Sequence, residues 1–116
     1  MAILSFSNSG RLFWLGRYTE RVFTEIRFVS VLPSWAWDEA ASASCFGEGN
    51  PESIYSSMVR AYDNAIVLRD EIGSDTFSYI QLALYEMSRA KKSLTPLVGL
   101  QKVSDNIAAF WGMADD

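Results

Sequence analysis

The chain has no histidine and one cysteine in 116 residues. Without imidazole there is no histidine metal site, no histidine-based triad, and little general acid–base chemistry near neutral pH. A single cysteine leaves no disulfide framework, and a reducing cytoplasm is the expected location. Long apolar runs are missing too. Charges interrupt the hydrophobic residues every few positions, so no transmembrane span is expected. The first residues, MAILSFSNSGR, lack the basic start and apolar run of a signal peptide. Net charge is -4, which argues against a general nucleic-acid role. Phosphate-cradling glycine loops, paired-cysteine motifs, nucleophile elbows, diagnostic carboxylate pairs and internal repeats are absent. The expectation is no metal and no cofactor.

What is present is hydrophobic content near half, enough for one core and one domain over 1–116. Its period is helical. The organising stretch is RLFWLGRYTERVFTEIR, Arg11 to Arg27. Leu15, Tyr18, Val22, Ile26 and Val29 recur at three- and four-residue steps and form an apolar stripe. Trp14, Arg17, Arg21, Thr24 and Phe28 make a second row, and Phe13, Gly16, Glu20, Phe23 and Arg27 a third. Charges bracketed by rings predict a helix largely surrounded by others, with Arg17, Glu20 and Arg21 in a partly buried polar cluster. Such charges need partners, which Arg17–Glu20 and Arg21–Glu25 supply at helical spacing. The alternative is an arginine fork aimed at a carboxylate or phosphate and oriented by Glu20, with Asn64 and Arg69 as further binding candidates. Gly16, costly within a helix, predicts close approach of another backbone or a ligand.

Ser7, Asn8 or Ser9 can cap this first helix, which should end before Pro33. A linker over 33–50 follows, with room for a short helix from about Trp35 to Ala43. Trp35 and Trp37 either pack this linker on the bundle or form a partner surface; Trp14, Phe23 and Trp111 are the other interface candidates. Cys45, with no base nearby in sequence, reads as a small buried residue. Asn50-Pro51-Glu52 predicts a capped helix start, and Ile54, Met58, Ala61, Ala65, Leu68 and Ile72 a bundle seam closed by Gly73. Ser74 or Asp75 should cap the next helix, whose stripe is Phe77, Ile80, Leu84 and Met87. Thr95-Pro96 opens the last, with Leu100, Val103, Ile107, Phe110 and Ala114. The expected fold is all-α, an antiparallel four-helix bundle with helices about 8–32, 51–72, 75–92 and 96–113.

These residues carry a family resemblance. RLFWLGRYTERV resembles the opening of the alpha-E domain, an all-helical bacterial domain named for its Glu-Arg motif. NPESIYSSMVRAYDNAIVLRDEI resembles its next signature, and KVSDNIAAFWGMADD the segment that ends the family's first half. Trp14, Leu15, Gly16, Arg17, Tyr18, Glu20 and Arg21 match the first motif. Asn50, Pro51, Ser53, Ile54, Asn64, Ala65, Arg69 and Asp70 match the second. Tyr62 and Ile66 stand where the family usually has basic residues, and Phe77 where it often has tryptophan. Relatives are usually longer, with a second Glu-Arg helix beyond the point where this sequence stops.

The resemblance implies association with circularly permuted ATP-grasp proteins and a part in forming or processing peptide-like amides. The expected function is a non-catalytic interaction or accessory module of an ATP-grasp-type peptide or amide ligation system. The alternative is an enzyme subunit holding a carboxylate or phosphate through Arg17, Glu20 and Arg21. A first helix with rings on every row also implies a missing partner: a second copy, giving an isologous homodimer, or a separately encoded second alpha-E half.

Overall fold

The structure is a computed structural model, and it describes residues 6–36, 42, 45–47 and 49–115. Four long helices and one short one are present among them. They are α1 (Phe6–Ser30), α2 (Ile54–Val67), α3 (Arg69–Ile72), α4 (Ser74–Lys91) and α5 (Pro96–Asp115). A 3-10 turn, Ser34–Ala36, follows α1. No described residue lies in a strand. The all-α expectation holds.

The helices pack as two antiparallel hairpins, α1 with α2 and α4 with α5, joined through α2 against α4 and α1 against α5. The seam along α2 matches its sequence pattern: Ile54, Met58, Ala61, Ala65 and Leu68 are buried, with Ile72 half-buried. In α4 the buried stripe is Phe77, Ile80, Ala83, Met87 and Ala90, and Leu84 lies half-buried beside it. Leu100, Val103, Ile107 and Phe110 bury one face of α5, while the side chain of Ala114 lies outside the described residues. Gly99 brings α5 tight against α4. A Cβ placed there would stand 2.6 Å from the Ala90 Cβ and 3.1 Å from its Cα.

Several boundaries differ from expectation. Asn50 caps a turn ahead of the helix, its Oδ1 accepting from the Glu52 N–H at 2.9 Å. The cap of α2 is Ser53, whose hydroxyl accepts from the Ser56 N–H at 3.1 Å. Ser53 also donates its hydroxyl to the Gly47 carbonyl at 2.8 Å, while the Asn50–Ser53 segment is a turn in which the Ser53 N–H donates to the Asn50 carbonyl, so the helix starts three residues later than expected. The predicted continuous helix over 51–72 breaks at Leu68, giving the single turn α3. Gly73 has φ 89 and ψ 153, a conformation suited to glycine, and its N–H closes α3 on the Arg69 carbonyl. It also occupies the N-cap position of α4, so neither Ser74 nor Asp75 is that cap. Pro96 opens α5 as predicted, and Cys45 is fully buried. Burial pushes its thiol up to about 11, with the Glu25 charge adding to the effect.

Candidate functional site: the outer face of the first helix

Among the described residues, helix α1 packs mainly against α2 and α5, burying one stripe, Leu15, Thr19, Val22, Ile26 and Val29, with Tyr18, Arg21, Phe23 and Glu25 half-buried at its edges. A stripe of about this width is what a two-neighbour helix needs, so among the described residues the rings of the second and third rows, Phe23 excepted, lie outside it. Phe13, Trp14, Phe28 and Val31 are exposed, and Trp35 in the turn beyond is 84 % exposed. Apart from its own helix backbone, no described residue lies within 4 Å of a Cβ built on Gly16, so the close approach expected there is not made by any described part of the chain.

The polar trio is therefore corrected. Arg17 and Glu20 are 61 % and 62 % exposed and pair at 3.7 Å. Arg21 is half-buried at the α1–α2 edge. Its Nε donates to Glu25 Oε1 at 3.1 Å, and its Nη2 donates to Glu52 Oε2. These hydrogen bonds, Glu25 first and Glu52 second, push the guanidinium pKa further up, so Arg21 is a fixed cation. Sequence spacing found the Glu25 partner. Glu52 was missed, because it is 31 positions away and nothing local marks it.

Around the trio lies an open depression of about 410 Å³, lined by Trp14, Arg17, Tyr18, Glu20, Arg21, Thr24 and Glu25. The Trp14 and Tyr18 rings are 5.6 Å apart, and Phe13 meets Trp14 edge-on at 5.4 Å. Arg60, from α2, sits 6.0 Å from the Tyr18 ring centre. Two arginines face two glutamates within this lining, so the depression has no net positive field for an anion.

Asn64 and Arg69 do not join the trio. Asn64 donates to the Arg60 carbonyl of its own helix at 2.9 Å. Arg69 stacks 5.0 Å from the Phe77 ring, which in turn lies 5.8 Å from Tyr62. Tyr62 and Phe77, two of the positions where the sequence departs from the resemblance, thus pair with each other, and Arg69 lies over the Phe77 ring. Among the interface candidates, Phe23 and Trp111 pair with each other at 4.9 Å across α1 and α5. The Trp111 indole N–H also donates to the buried Thr19 hydroxyl at 3.1 Å, and Thr19 donates to the Gly16 carbonyl. Sequence reading overlooked Thr19 because a threonine in an aromatic-rich helix looks like a surface residue. Trp14 and Trp35 remain open to solvent, against the reading that Trp35 packs the linker; Trp37 lies outside the described residues. Among the described residues no cluster of three or more Cys, Asp or Glu is placed to hold a metal. Nor is any helix there long and apolar enough to cross a membrane.

The molecule is thus a small antiparallel helical bundle whose first helix shows solvent a mixed aromatic and charged face. Residues 36–116 match the Alpha-E family, described as a predicted alpha-helical domain with a conserved ER motif, and the chain belongs to it. The sequence's one Glu-Arg dipeptide, Glu20-Arg21, lies before the matched span, on the outer face of α1. No curated protein and no solved structure matches the chain.

Proposed function

We propose that this chain is a non-catalytic helical interaction module, an accessory part of an ATP-grasp-type system that joins peptide-like amides, and that it self-associates through the outer face of α1. The observation that carries the reading is the uncovered row of large side chains, Phe13, Trp14, Phe28 and Val31, continued by Trp35. Large exposed apolar side chains at both ends of one helix face support an interaction surface on a small domain. The chemistry on the same face supports docking over turnover. Arg21 is taken up by Glu25 and Glu52, and Cys45, the one thiol, is buried and protonated at neutral pH. A separately encoded second alpha-E half is the competing occupant of the face.

The rival function is an anion-binding subunit that would use the depression at Arg17, Glu20 and Arg21, where Glu20 and Glu25 offset the two arginines. Two experiments separate these. Light scattering across the micromolar range reads self-association, and a monomer throughout removes that part of the proposal. The chain is then mixed with a circularly permuted ATP-grasp protein of the same source and followed by size-exclusion chromatography and nucleotide turnover. Co-elution or altered turnover is expected; neither effect, together with saturable phosphate binding that Arg17→Gln abolishes, overturns the accessory reading in favour of the rival.

A further inference from the structure

The outer face of α1 is written in three rows of seven-residue spacing. Seven residues make almost two turns, so each row runs nearly straight along the helix. The rows are Phe13, Glu20, Arg27; Arg17, Thr24, Val31; and Trp14, Arg21, Phe28. Every one of these is exposed except Arg21, which is half-buried. The middle row is flanked by the other two.

A twofold axis perpendicular to two side-by-side antiparallel helices lays each row against the same row of the partner, reversed. Residues then face one another when their numbers add to a constant, and charge decides between the possible registers. A sum near 41 sets Glu20 against the partner's Glu20 and Arg21 against the partner's Arg21, four like charges opposed in two pairs. A sum near 48 removes both clashes. Glu20 meets the partner's Arg27, and Arg27 meets the partner's Glu20. Arg21 lies over the partner's Phe28. Thr24, the smallest residue of the nine, faces the partner's Thr24 at the axis, where the helices approach most closely.

We propose that a second copy of this chain covers α1 in this register, as an antiparallel isologous pair centred on Thr24. The proposal rests on the self-association reading and specifies its geometry. Two further observations favour it. Arg27 makes no ion pair among the described residues, and Glu20 has only the long 3.7 Å contact with Arg17, so both ends of the intermolecular pair are available. The same register carries Phe13 and Trp14 towards the far end of the partner helix, where Val31 and Trp35 are exposed. The face from Phe13 to Val31 is roughly 27 Å long, which makes a small interface.

The test is charge exchange at two exposed positions. Glu20→Arg places a guanidinium opposite the partner's Arg27, and Arg27→Glu places a carboxylate opposite the partner's Glu20. Sedimentation equilibrium should show each variant self-associating more weakly by more than about tenfold. An equimolar mixture of the two should recover wild-type affinity, because each chain then supplies what the other lacks. Circular dichroism melting confirms that both variants fold, and Glu20→Gln with Arg27→Gln provides neutral versions that should weaken the dimer less. If wild type dimerises but the exchanges have no effect, or the mixture does not recover, this register is wrong and self-association stands. If wild type is monomeric at every concentration, both fall.

Discussion

Glu20 shows how exposure sets the energetic role of a charge. Were it buried against an unpaired arginine, its loss would cost about 3 kcal/mol. At 62 % exposure and 3.7 Å from Arg17 it is a surface ion pair. Glu20→Ala should therefore lower unfolding free energy by less than about 1 kcal/mol, measured by urea denaturation at a concentration where the chain is monomeric. Cys45 behaves in the opposite way. Its native thiol is held up to about 11 against an ordinary value near 9. The unfolded chain therefore releases this proton first as pH rises. The stability it contributes is complete below about pH 9 and is lost as pH climbs towards 11. Cys45→Ala should flatten that part of the stability profile relative to wild type, and the native thiol should resist alkylation at neutral pH.

Contacts between helices are decided by small residues as much as by large ones. Gly99 lowers the helix propensity of the first turns of α5, which is all that its position in the sequence reveals. Its role is spatial: it lets Ala90 of α4 come within a distance no side chain would allow. Gly99→Ala should destabilise by about 1–3 kcal/mol despite the gain in helix propensity, as read by urea denaturation. Combining it with Ala90→Gly should recover part of that loss in a double-mutant cycle, since the two positions share one contact. Gly16 is the contrast, because no described neighbour outside its own helix fills the space beside it.

The whole molecule depends on joining two hairpins, and a polar link across α1 and α5 helps to do so. The Trp111 indole N–H ends on the Thr19 hydroxyl, with Phe23 packed on the same indole. Thr19→Val keeps the volume but leaves that donor unsatisfied in a partly buried setting, a cost of about 1–2 kcal/mol. Thermal unfolding followed by tryptophan fluorescence should show the lowered midpoint.

Hydrophobic period alone determined the helical class, the seam from Ile54 to Leu68, the stripe of α5 and its opening at Pro96, because these follow from local spacing and proline geometry. Period could also say which residues share a face of α1. It could not say how many faces would find neighbours, since that depends on where distant helices are laid down. Tertiary packing decided that, among the described helices, α1 packs mainly on α2 and α5, that Arg21 reaches Glu52, and that Asn64 and Arg69 lie apart from the Glu-Arg pair. The physical reason is one of range. Spacing along the chain constrains neighbours within a turn or two, whereas burial of a charge or a ring is fixed by atoms dozens of residues away.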